Sequence, residues 1–473
     1  MELTANLASV GLTLAITLTI SAQSWATSIV SSTKTDLITV YQEAAKNDAN
    51  IAAARADYQA RREVVPQARA GLLPNLSANA TYSDTRTEFD SPDSTTSRSG
   101  ATYQANVVQP LFRADRWFNL RSAEATSEQA ALELSATEQN LILQSAETYF
   151  AVLRAQDTLA STKAEETAFK RQLDQANERF NVGLSDKTDV LEAQAGFDTA
   201  RANRILAERA VDDAFEALKT LTQRDYSAVE GIVHSLPVLA PTPNNATTWV
   251  DTAAAQNLSL QASYFAVNAA EETLRQQKSG HAPTLDAVAS YQKGDNDNLG
   301  FTNSDSQLSP TYHGDVSQRS IGLQLSIPIY SGGLTSSQIR EAYQRLDQSE
   351  LLRESLRRQV VQKTRDLFRA VNTDVETVQA RRQSIISNKS ALDATEIGYQ
   401  VGTRNIVDVL DAQRQLFSAV RNYNDARYDY ILNNLRLKQI VGTLSPNDLQ
   451  VLQQYLKPDY DPDKDFLPVL PKA

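Results

Sequence analysis

The chain has 473 residues, 41% of them hydrophobic and 22% charged, a formal net charge of −11 and no cysteine. Length leaves room for two or three domains with real cores, whereas the missing cysteines exclude disulfides, thiol catalysis, thiolate metal sites and a lipid anchor on an N-terminal cysteine. His234, His281 and His313 are scattered, which argues against a clustered imidazole site or a Ser-His-Asp enzyme, and an acidic chain is a poor match for nucleic acid, whose phosphates need a Lys/Arg surplus.

The first segment reads as a leader. No charge occurs from Leu3 to Thr33, and the apolar run Leu7 to Ile20 is shorter than the ~20 residues of a membrane-crossing helix. Ser24 and Ala26 supply small residues before a cleavage point, so residues 1–26 are expected to be a secretory signal peptide, although Glu2 takes the place of the usual basic residue. No later stretch approaches a transmembrane helix. A chain of this kind that crosses a bilayer must do so with strands.

Beyond the leader the chain is duplicated. Val182 to Gln194 aligns without a gap on Val401 to Gln413, with seven identities in thirteen positions. Upstream, Pro110-Leu111-Phe112 lies opposite Pro328-Ile329-Tyr330, and Pro74 to Tyr82 opposite Pro283 to Tyr291. Two copies of about 210 residues are implied, joined by the Pro- and Asn-rich stretch Leu236 to Ala246. Each copy opens with a helical stretch, Asp36 to Ala70 and Trp249 to Lys278. A segment of period two comes next: Leu76, Ala78, Ala80 and Tyr82 share one face, and Ser77, Asn79, Thr81 and Ser83 the other. Polar loops, Asp84 to Gly100 and Lys293 to Ser317, lead to a second strand, clearest in Ile321, Leu323, Leu325, Ile327 and Ile329 alternating with Ser320, Gly322, Gln324 and Ser326. Strands of about 10 to 12 residues suit a tilted membrane strand.

Leu111 to Val182 and Leu334 to Ile397 contain neither proline nor glycine. Each stretch can form one helix on the order of 100 Å long. Leu132, Ala136, Gln139, Leu143, Ala146, Phe150 and Leu153 form one seam of alternating threes and fours, and Val360, Thr364, Leu367, Val371, Asp374 and Val378 another. Val182-Gly183 and Val401-Gly402 end these helices in tight turns from which shorter helices return.

The reading is therefore a mixed α and β chain, internally duplicated: residues 1–26, leader; 27–235, first repeat, with strands at about 72–84 and 101–112, a long helix at about 113–181 and a return helix at about 187–222; 236–248, linker; 249–445, second repeat, with strands at about 284–293 and 319–330, a long helix at about 334–399 and a return helix at about 405–441; and a tail, 446–473, which from Pro458 onward looks disordered and is assigned no role. Four amphipathic strands cannot close a barrel, and open sheet edges in lipid leave backbone groups unsatisfied at several kcal/mol each. The strands must be pooled among several chains around a wet lumen. Periodicity alone leaves an alternative, a soluble periplasmic coiled-coil scaffold or adaptor.

The duplicated layout, the strand exits Gln109-Pro110-Leu111-Phe112-Arg113 and Ile327-Pro328-Ile329-Tyr330-Ser331-Gly332-Gly333, and above all the run Gly398 to Ala412 (GYQVGTRNIVDVLDA) resemble the TolC family of outer-membrane efflux ducts over essentially the whole mature chain. The resemblance implies a homotrimer in outer-membrane lipid. Four strands per chain would form one twelve-stranded β-barrel, continued through the periplasm by an α-helical coiled-coil barrel. It also implies a passive duct for efflux or type I secretion, served by an inner-membrane transporter and a periplasmic adaptor, with no cofactor, no metal and no catalysis.

Asp408 and Asp411, three apart, share a helix face. An isolated pair at that spacing is more often a solvated surface, and only the resemblance makes three copies of it a cation-selective constriction ring. The same resemblance assigns links between neighbouring helix pairs to Arg404 and Tyr399 near the second turn and to Thr188 and Asp189 near the first, and adaptor contact to the tips Val182-Gly183-Leu184 and Val401-Gly402-Thr403. Lys187, opposite Ile406, departs from the aliphatic residue usual there and sets a cation beside Asp189. His281 is expected at a strand start, and Trp117, Phe118 and Tyr103 near the barrel ends, as aromatic girdle or as core.

Overall fold

The computed structural model describes residues 34–91, 93–295 and 315–468. The leader and His313 lie outside them. In chain order the elements are β1 (Lys34–Thr35), α1 (Leu37–Asn47), α2 (Ala49–Arg62), α3 (Val64–Ala70), β2 (Asn75–Asp90), β3 (Asp93–Phe112), α4 (Ala114–Asn181), α5 (Lys187–Thr222), β4 (Ala228–Val229), β5 (Gly231–Ile232), α6 (Ala246–Gln256), α7 (Leu258–Lys278), β6 (Thr284–Asp295), β7 (Asp315–Ser326), α8 (Leu334–Gln400), α9 (Ile406–Val441), α10 (Pro446–Gln453), β8 (Leu456–Lys457) and α11 (Pro462–Asp465).

Four strands form one antiparallel sheet in the order β2-β3-β6-β7. Its register sorts side chains into alternating rows. Leu76, Val107, Ala289 and Ile321 lie opposite one another across all four strands, and the next row is Ser77, Asn106, Ser290 and Ser320. The hydroxyls of Ser290 and Ser320 are 2.8 Å apart. The apolar face is uncovered within the chain: Ile321 is 91% and Leu323 70% exposed. Where the sheet meets the helices, the Arg113 guanidinium grips Asp286 with two bonds of 3.0 and 2.8 Å.

The first hairpin is longer than expected. β2 runs to Asp90 and β3 starts at Asp93, so most of the stretch read as a loop, 84–100, continues the ladder. Its polarity suggested a loop, but Thr85 and Thr95 are β-branched and suit a pleated surface. In the second copy β7 stops at Ser326 rather than near 330, just before Pro328, which has no N–H to give to a ladder.

Among the described residues no helix is long and apolar enough to cross a membrane. α4 and α8 are single helices of 68 and 67 residues. The stretches before the strands are broken, and at equivalent points of the two copies. Asp48 is extended and its carboxylate accepts the N–H of Ile51 at 2.9 Å, which starts α2. Asn257 does the same for Leu260 at 2.8 Å and starts α7. A short polar residue here offers the backbone a cap that competes with continuing the helix. His281 ends a short 3₁₀ turn before β6 and is exposed, and Trp117 is about half exposed in the first turn of α4.

As far as residue 468 the tail is ordered, contrary to the expectation for the part from Pro458 onward. β8 pairs with β5, and Tyr460 and Phe466 are buried in the main core where α1, α4, α8 and α9 meet. Acid-rich composition suggested disorder, yet several of the acids are paired: Lys457 with Asp465 at 2.8 Å and Lys464 with Asp461 at 2.9 Å, and upstream Lys438 with Asp448 at 2.6 Å. Beneath them Asp157 is buried and accepts the hydroxyls of Tyr428, at 2.7 Å, and of Tyr460. The Tyr460 ring lies so close over Gly231 that a Cβ there would sit 2.1 Å from it. Only glycine admits the ring.

The helix-turn tips, a candidate functional site

Both long helices end in the same way. Gly183 (φ +75°) and Gly402 (φ +81°) take the left-handed conformation, and nothing lies within 4 Å of the place a Cβ would occupy, so the dihedral alone asks for glycine. The Leu184 N–H returns to the Arg179 carbonyl at 2.8 Å and the Gly183 N–H to that of Phe180 at 3.0 Å. In the second copy the Thr403 N–H returns to the Gly398 carbonyl at 2.9 Å and the Gly402 N–H to that of Tyr399 at 3.1 Å. These are Schellman turns. They leave Val182, Leu184 and Val401 each about two-thirds exposed at the tips.

The return helices start from side-chain caps. Asp186 accepts the N–H of Asp189 at 3.0 Å, and Asn405 that of Asp408 at 2.9 Å. Asp408 answers by accepting the Asn405 N–H at 3.4 Å, a capping box. Asp408 thus has a structural task besides any role in a ring.

Asp408 and Asp411 share the first turns of α9. Each has a cation of its own: Arg404 is 3.8 Å from Asp408, and Arg414 is 2.8 Å from Asp411. Arg404 does not reach Asp189 within the chain. Its stem folds back over Gly398, where a Cβ would be 2.8 Å from its Cγ. Thr188 is exposed on the first turn of α5, beside the exposed Lys187, while Ile406, the counterpart of Lys187, is buried in the core beneath the tips.

Tyr399 is buried, with the Arg179 guanidinium 4.7 Å from the centre of its ring. Burial raises the Tyr399 phenol pKa, Arg179 lowers it and Asp189 raises it again. Burial, then Asp186, lift the Asp189 carboxyl, against Arg179. Asp189, Tyr399 and Arg179 thus act on one another in a single chain. The Tyr399 hydroxyl, Arg179 Nε and Gln413 Oε1 are buried without a hydrogen-bond partner among the described residues.

Sequence reasoning missed Arg179 and Arg414. Arg179 was detectable as a mismatch in the duplication, since the position aligned with it is Gly398. One copy lays an arginine on the Tyr399 ring, and the other clears space for Arg404.

A family model described as "Outer membrane efflux protein" matches residues 40–223 and 249–443, one stretch in each copy. Outer membrane protein TolC of Vibrio cholerae serotype O1 is 36% identical over 422 residues, covering 89% of this chain and 94% of that one. The alkaline protease secretion protein AprF of Pseudomonas aeruginosa is 27% identical over 424 residues, covering 88% and 86%. A crystal structure of CusC superposes with a TM-score of 0.75 at 16% identity, over 86% of this chain and 92% of that one.

Proposed function

The chain belongs to the outer membrane efflux protein family, whose members are outer-membrane channels and not enzymes, and from that premise we propose that it works as a passive homotrimeric channel-tunnel. It is an outer-membrane protein with a periplasmic helical tunnel, so the reading as a soluble scaffold or adaptor is set aside. The observation that carries the trimer is the sheet. One copy supplies four strands, an apolar face open to its surroundings and two strand edges, β2 and β7, with no neighbour among the described residues. In lipid each unmet edge group costs several kcal/mol. Three copies pool twelve strands, meet every edge, turn the apolar rows to lipid and enclose the Ser, Asn and Gln rows around water.

The tips close the far end. In this reading the three copies of Asp408 and Asp411 ring the axis and favour cations, and Arg404, Tyr399, Thr188 and Asp189 link neighbouring helix pairs. Two features support it. The Tyr399 hydroxyl has no hydrogen-bond partner among the described residues of its own chain. The pairing of Arg404 with Asp408 is exposed and long, so exchanging it for a partner on another copy costs only about 0–1 kcal/mol. The exposed Val182, Leu184 and Val401 offer an adaptor apolar contacts at the tips, and an inner-membrane transporter would supply the energy. Efflux fits the description of the family, and secretion fits the relative AprF.

Single-channel recording in planar bilayers tests the closed end. Replacing Asp408 and Asp411 together by Ala lowers cation preference, and Tyr399→Phe with Arg404→Ser raises conductance. Unaltered selectivity would remove the ring, and unaltered conductance the links.

A further inference from the structure

The two unmet strand edges and the internal duplication together specify how one copy meets the next. We propose that β7 of one copy pairs antiparallel with β2 of its neighbour in the register that sets Leu323 opposite Tyr82 and Gln324 opposite Thr81. The inference rests on the trimeric-barrel reading and adds to it a residue-by-residue seam.

The sequence match of Pro74 to Tyr82 with Pro283 to Tyr291 carries β2 onto β6, and that of Pro110 with Pro328 carries β3 onto β7. Inside the chain this operation can be checked. β2 and β3 set Leu76 opposite Val107 and Tyr82 opposite Ala101. Carried across, these become Leu285 opposite Leu325 and Tyr291 opposite Arg319, the pairs that β6 and β7 make, with no slip. The two copies therefore use one pairing rule. The middle junction of the sheet, β3 with β6, sets Val107 opposite Ala289, Asn106 opposite Ser290 and Ala105 opposite Tyr291. The same operation turns it into β7 with β2 of the next copy: Leu325 opposite Ala80, Gln324 opposite Thr81, Leu323 opposite Tyr82.

This register keeps the faces consistent, with Leu323 and Tyr82 on the apolar side and Gln324 and Thr81 on the polar side. A slip of one residue would mix the faces. A slip of two would not, and only the duplication speaks against it. One feature is not repeated. Arg113 and Asp286 lock the junction within the chain, but their counterparts at the seam are Ser331 and Ser77, which leaves the seam as the weaker junction.

The chain contains no cysteine, so introduced pairs report unambiguously. Opposed residues of an antiparallel ladder have Cα atoms about 4.5–5.5 Å apart, within disulfide range. Two double variants carry the proposed pairs, Leu323→Cys with Tyr82→Cys and Gln324→Cys with Thr81→Cys. Two more carry slips of two residues, Leu323→Cys with Ala80→Cys and Leu323→Cys with Asp84→Cys. Mild oxidation of the full chain in membranes is expected to give covalent trimers on non-reducing gels from at least one proposed pair and from neither slipped pair. Linkage at a slipped pair, or a trimer that links at neither proposed pair, overturns the register. The detergent-solubilised mass of the cysteine-free chain separates the two levels: a monomer would end the trimeric reading itself, whereas a trimer with slipped linkage ends only this inference.

Discussion

His234 shows how much one buried cation fixes. Arg427 is buried, and its guanidinium, which can only donate, lies 2.9 Å from His234 Nδ1, so that nitrogen must accept. The imidazole is then neutral with its proton on Nε2, which donates to the Asp465 carbonyl at 2.7 Å. Burial first, and Arg427 second, hold the His234 pKa down at about 4. Because the folded value lies below the unfolded one, this contribution to stability is complete above pH ~6.5 and is lost as pH falls through about 4, and it amounts to roughly 3 kcal/mol. Asp157 runs the other way: burial pushes it up to about 6, against the hydroxyls of Tyr460 and Tyr428, so its contribution is complete below pH ~4 and lost as pH rises through about 6. The two contributions oppose each other between pH 6 and 4, so His234→Gln is expected to leave that of Asp157 unopposed and to make stability rise, relative to the parent chain, as pH falls from 6.5 to 4, measured as the urea midpoint of tyrosine and tryptophan fluorescence. A pH dependence equal to that of the parent chain would exclude His234 as the titrating group.

The helices owe their contacts to spacing rather than to size. On α8 the buried residues Thr364, Val371, Val378, Ile385, Leu392 and Tyr399 recur every seven positions, and on α5 Ala193, Ala200 and Ala207 do the same. A straight α-helix drifts about 20° per heptad away from such a stripe, so a strict seven-residue repeat asks for a left-handed supercoil. Alanines let the axes of α4 and α5 come close, and Gly196 goes further: a Cβ there would lie 2.7 Å from the buried Phe169 ring. Two effects compete at this position. Helix propensity favours Ala over Gly by up to about 1 kcal/mol, while overpacking costs about 1–3 kcal/mol. The ring is enclosed and has little room to move, so Gly196→Ala is expected to lower the thermal midpoint, and Phe169→Leu added to it to restore part of the loss. A higher midpoint for Gly196→Ala would mean that the ring yields.

At the scale of the whole molecule the two copies are alike in backbone and unlike in charge. Their hairpins follow one register, and their helix turns one geometry. The Arg113–Asp286 pair exists at one strand junction only. It is half-buried and bidentate, and removing one partner leaves a desolvated carboxylate, at a cost of about 3 kcal/mol. Arg113→Ala is expected to lower the temperature at which the barrel unfolds in detergent, read from the loss of β signal in circular dichroism. Removing the partner as well, in Arg113→Ala with Asp286→Ala, is expected to recover most of that loss. Equal unfolding temperatures for the parent and Arg113→Ala would show that the pair adds nothing to stability.

Much of this was determined by the sequence alone, because the relevant forces act between near neighbours. A period of two marked the strands, the absence of glycine and proline marked α4 and α8, and one glycine in each copy marked the turn where a left-handed dihedral is needed. Asp408 and Asp411 were legible as one face because helix spacing is local. Tertiary structure decided what depends on meeting at a distance. The tail looked too acidic to fold, but folding brings Lys438 and Lys457 beside its carboxylates and the Tyr460 ring over Gly231. The loop expected in the first hairpin became ladder because its threonines had a partner strand opposite. Arg404 turned to its own helix because Gly398 cleared the way, and Arg179, unremarkable in sequence, came to lie on Tyr399 because two hairpins more than 200 residues apart in the chain share one core.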